Sequence, residues 1–96
     1  MNQKIQNPGL AEIALGIAAI GAGEYLRAHR LQARPEALAY CLKSWVQIKL
    51  PQALWDVKAA MDCHMDAIAE KTFQASLLQA GIEAAKECGF PAAPPL

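Results

Sequence analysis

Apolar residues recur along this chain at intervals of three and four, and nowhere do they alternate with polar ones for the length of a strand. Leu10, Ile13, Ile17 and Ile20 form one stripe, while Ala14, Ala18 and Ala22 lie four apart on a neighbouring face. Asn7-Pro8 suits a helix start, with asparagine as cap and proline in the first turn. Arg27, His29 and Arg30 suit the negative end. A first helix is therefore predicted over residues 8–30. Arg34-Pro35-Glu36 opens a second, with Leu38, Cys41, Leu42 and Trp45 as its stripe. Pro51 is expected to end it, because the residue before proline avoids α geometry. That gives residues 35–49.

Pro51 can then open a third helix over residues 51–70. At about 100° per residue, Leu50, Leu54, Val57, Met61, His64, Met65 and Ile68 share one side, and Lys58, Asp62, Asp66 and Glu70 lie opposite. After Thr72 the pattern turns. Phe73, Leu77, Ala80 and Ala84 occupy the sector that Asp62 and Asp66 held. A straight helix would have to change its buried side, so a break is predicted at Lys71-Thr72, with Thr72 capping a fourth helix over residues 72–88. Gly89 fits the left-handed position after a helix end, with Phe90 folded back on the last turn. The expected fold is all-α, a compact four-helix-bundle-like domain spanning residues 1–90, followed by a proline-rich tail at 91–96.

Composition adds a difficulty. The chain has 96 residues, 54% of them hydrophobic, and a mean hydropathy of +0.12. A monomer of this length buries only about two-thirds of the surface its unfolded chain exposes. The surplus implies a partner chain or a ligand cavity. The uncharged run Ile13–Gly23 is bracketed by Glu12 and Glu24 and falls short of the roughly 20 apolar residues of a membrane span, so no membrane is expected. Three widely spaced cysteines, Cys41, Cys63 and Cys88, make no disulfide framework and fit free thiols in the cytoplasm. Net charge is zero, which argues against a nucleic-acid partner. Residues 1–50 carry six cations against three anions, and residues 51–96 the reverse. Such halves attract each other, within a chain or across a dimer.

Candidate chemistry is sparse. The glycines at 16, 21 and 23 lack the lysine and hydroxyl of a phosphate loop, and their small-residue spacing fits close helix packing. Asp62 and Asp66 share a helix face that Glu70 continues, and His64 points away from both, so the acidic row reads as a solvated face and no metal is expected. No nucleophile motif appears, so no catalytic residue and no cofactor is assigned. Arg27, His29, Arg30 and Arg34 read as cations complementing a helix terminus. His64, at the centre of the third apolar stripe, is expected to be at least half buried. With Trp45, Trp55 and Cys63 it makes the candidate ligand-binding set. The favoured function is a small helical interaction protein forming a homo-oligomer, most simply a dimer, through Ile13, Ala14, Ile17, Ala18, Gly21 and Ala22. The alternative is a small-molecule binder or minor enzyme with its pocket near Trp45, Trp55 and His64.

Overall fold

The computed structural model describes residues 8–93, which form three helices, α1 (Pro8–Ala28), α2 (Pro35–Asp62) and α3 (Asp66–Cys88). The all-α expectation holds, but the number of helices is three. The difference arises at two places. Pro51 does not stop α2, which runs through it for 28 residues. Proline removes one N–H and crowds the preceding turn. Here Pro51 and Gln47, whose carbonyl loses its partner, are both exposed, so water can serve that carbonyl. The change of direction foreseen at Lys71-Thr72 occurs earlier, at Cys63–Met65. Residues 70–74 are uninterrupted α-helix, and Thr72 caps nothing.

The α2–α3 turn has a well-defined cause. The His64 N–H donates to the Met61 carbonyl at 2.9 Å and the Met65 N–H to the Ala60 carbonyl at 2.9 Å. These are the paired 5→2 and 6→1 bonds of a Schellman ending. His64 takes the left-handed position usually given to glycine, with φ of 59°. Gly89, predicted to play that part after α3, is extended instead, with φ of −77° and ψ of 149°. Glycine is required there for space: a Cβ would stand 2.5 Å from the Ala85 carbonyl oxygen, a backbone atom, as well as 3.0 Å from Leu26 Cδ2. The chain then pairs antiparallel with the segment after α1, β1 (Leu31–Gln32) against β2 (Phe90–Pro91). The Ala92 N–H donates to the Arg30 carbonyl at 3.1 Å. The start of the presumed tail is thus held in a short clasp.

Helix α3 is central. It packs along both α1 and α2, which touch each other little, and the molecule measures 55 × 30 × 17 Å. The α1–α3 crossing is close. A Cβ on Gly81 would lie 2.7 Å from the Ala18 carbonyl carbon and 2.8 Å from the Ala22 nitrogen, and one on Gly21 would lie 3.0 Å from the Leu78 Cα. Ala14, Ala18 and Ala22 are fully buried in this seam. Cys41, Leu42 and Val46 of α2 complete the core around Leu77, Ala80 and Ala84. Eight of the twelve buried hydrophobic residues are alanine, and Leu77 is the largest fully buried side chain among the described residues. By length and composition alone Gly9–Ala28 could cross a membrane, a test that core helices and signal sequences also pass.

Candidate functional site

The four residues expected to form a ligand site do not converge. Trp45 is half-buried at the α2–α3 seam, where its Nε1–H donates to Glu87 Oε1 at 2.7 Å. Trp55, ten residues and about 15 Å further along α2, is 69% exposed on the outer side. Cys63 and His64 lie exposed in the α2–α3 turn. The expectation that His64 is half buried is corrected: α2 ends at Asp62, so the periodicity that placed His64 among apolar neighbours no longer applies. Its role in this fold is conformational.

The residues expected to meet another chain are divided. Ala14, Ala18, Gly21 and Ala22 are buried against α3 of the same chain, which supplies the close helix partner their spacing called for. Ile17 is half-buried, and Ile13 is exposed with Ile20. On α2, Tyr40 is 74% and Ile48 62% exposed, in line with Trp55.

A groove does exist, elsewhere. It encloses about 400 Å³ at the end of the molecule where α1 begins and α2 ends. Leu10 forms one wall, Leu54, Val57 and Met61 the other, with Ala69 and Phe73 of α3 between them. Asp66 and Glu70 complete the lining. Their position follows from register. Asp66, Glu70, Phe73, Leu77, Ala80 and Ala84 repeat at four, three, four, three and four residues, so all face the same side of α3. Deep in the seam that side buries Leu77, Ala80 and Ala84. At its N-terminal end it presents two carboxylates. The acidic row read as one solvated face is therefore split. Asp62 belongs to α2 and pairs with Lys58 at 3.0 Å, whereas Asp66 and Glu70 open on the groove with no ion pair among the described residues. The turning pattern after Thr72 already contained this signal, because Asp66 and Glu70 precede Phe73 on the same face. Placing the break too late hid it.

The thiols separate by environment. Cys63 is exposed and Cys41 buried. Cys88 is pushed up to about 11 from its ordinary 9.0, first by burial and then by the neighbouring Cys41. It therefore stays a neutral thiol near neutral pH, and a thiol is a poor nucleophile beside its thiolate. Near the α1 terminus the Tyr25 and His29 rings stack at 4.1 Å, and Lys86 Nζ lies 6.0 Å from the Tyr25 ring centre. Arg27, Arg30 and Arg34 are exposed nearby. Among the described residues, no three histidine, cysteine or acidic side chains gather as a metal site would require. Compared with known protein families, curated proteins and solved structures, the chain matches none of them.

Proposed function

We propose that this protein is an interaction module that self-associates, with a second copy covering the outer stripe of α2. One observation carries the reading: small residues fill the core while large ones stand outside. Alanines occupy most buried apolar positions, and Tyr40, Ile48 and Trp55 are each more than half exposed. With Ser44 and Pro51 between them, they recur at four, four, three and four residues, one continuous stripe about 22 Å long. Tyrosine and tryptophan are the residue types that anchor interfaces, because their large rings lose little conformational freedom on docking. Two such stripes, antiparallel about a two-fold axis, would cover each other isologously. Ile13 and Ile20 on α1 form a second apolar patch for a larger assembly.

Light scattering over a micromolar dilution series tests this. The expected mass is twice that of the chain, and Trp55→Glu should reduce it to one chain without loss of helicity. Ile13→Glu should leave the dimer intact. By contrast Ala18→Glu should unfold the chain, because Ala18 packs against the Gly81 backbone. A wild-type monomer at micromolar concentration would overturn the proposal.

A further inference from the structure

We propose that the groove between the start of α1, the end of α2 and the start of α3 binds an amphiphilic amine, with an alkyl or arylalkyl body in the trough and its ammonium between Asp66 and Glu70. The volume, about 400 Å³, lies in the range of small-molecule sites. Leu10, Val57, Met61 and Phe73 give the body an apolar bed from all three helices. The charge at the lining is of one sign. Among the described residues, Asp66 and Glu70 are the only ionisable ones in the lining, and neither has an ion pair or a side-chain hydrogen bond there. Four residues apart on a helix, their side chains are neighbours, so one ammonium can donate to both. Asp66 and Glu70 are both exposed at the groove rim, and like charges four residues apart on a helix repel each other. A cation relieves that repulsion, a neutral head group does not, and an anion worsens it. A fatty acid is therefore the wrong ligand and an amine of the same length the right one. The groove lining shares no residue with the Tyr40–Trp55 stripe, so the site stands or falls separately from dimerisation.

Octylamine, octanol and octanoate, kept below micelle formation, form a matched set of probes for the full chain. Amide and ring NMR signals of Phe73, Asp66, Glu70 and Val57 report binding, and the dimer mass is followed in the same samples. The expected order is octylamine first, octanol weaker by about tenfold, as two partly solvated ion pairs imply, and octanoate unbound. Asp66→Asn with Glu70→Gln should bring octylamine down to the octanol affinity with the helical signal unchanged. Val57→Trp should abolish binding of both by filling the trough. Equal affinity for the three probes would overturn the proposal, as would no octylamine binding up to its solubility limit. Groove signals that move with protein concentration alone would assign the trough to a second copy and overturn it too.

Discussion

His64 shows how a single backbone angle can outweigh a side chain's chemistry. A left-handed conformation costs a non-glycine residue roughly 1–2 kcal/mol, partly offset in glycine by its greater freedom when unfolded. His64→Gly should therefore raise stability by about 0.5–1 kcal/mol, and His64→Val should lower it, as urea denaturation will measure. The glycines of α1 and α3 give a second contrast. Gly81 faces the Ala18 and Ala22 backbone, which cannot yield, so Gly81→Ala should cost about 3 kcal/mol or prevent folding. Gly16 has open space where its Cβ would be, so Gly16→Ala should stabilise by about 0.5–1 kcal/mol through helix propensity alone. Thermal melts of the two variants check both signs. A loss of stability at Gly16 would mean that another helix rests on the outer side of α1.

At the scale of elements, Pro51 is the local conflict within α2. It denies the Gln47 carbonyl its partner in mid-helix while sitting on the solvent side, where the damage is smallest. Pro51→Ala should restore that bond and raise stability by about 1–3 kcal/mol, read from chemical denaturation. The sequence made the existence of the helices legible, since their periodicity reflects burial on one side. It also made legible that the chain must redirect between Met61 and Phe73, because Leu54–Met61 and Phe73–Ala84 point to different sectors. The place of the turn was hidden. A helix end made entirely of backbone bonds, with histidine in the glycine position, leaves no mark in the residue types, while Thr72 resembles a cap without acting as one. Pro51 misled in the opposite direction, because tertiary packing on α3 holds α2 together across it.

The whole molecule inverts the usual distribution of size between inside and outside. A surplus of apolar residues was readable from composition. Its location was not, because Ile13, Ile17 and Ile20 look like the buried stripe of α1, and burial belongs instead to the alanines beside them. The reason is the distance between helices: backbones as close as those of Gly21 and Gly81 admit alanine and exclude isoleucine. The groove was likewise invisible, since it depends on where α1 and α2 stand apart around α3. Methyl groups contribute little apolar area each, so such a core gives modest stability for its length, and covering the large side chains outside adds what the inside lacks.

The close α1–α3 seam also sets an order of assembly. Helices α2 and α3 are joined by the short turn at Cys63–Met65 and can pair as neighbours along the chain. Gly21 and Leu78 meet across the whole length of α2, a loop whose closure entropy must be met before the contact gives anything back. The α2–α3 hairpin should therefore carry the transition state, and α1 should dock after it. In a chevron analysis Val46→Ala should chiefly slow refolding and Ala18→Gly should chiefly quicken unfolding. The clasp of Leu31–Gln32 on Phe90–Pro91 would then be the last part to close, and the first to open to hydrogen exchange.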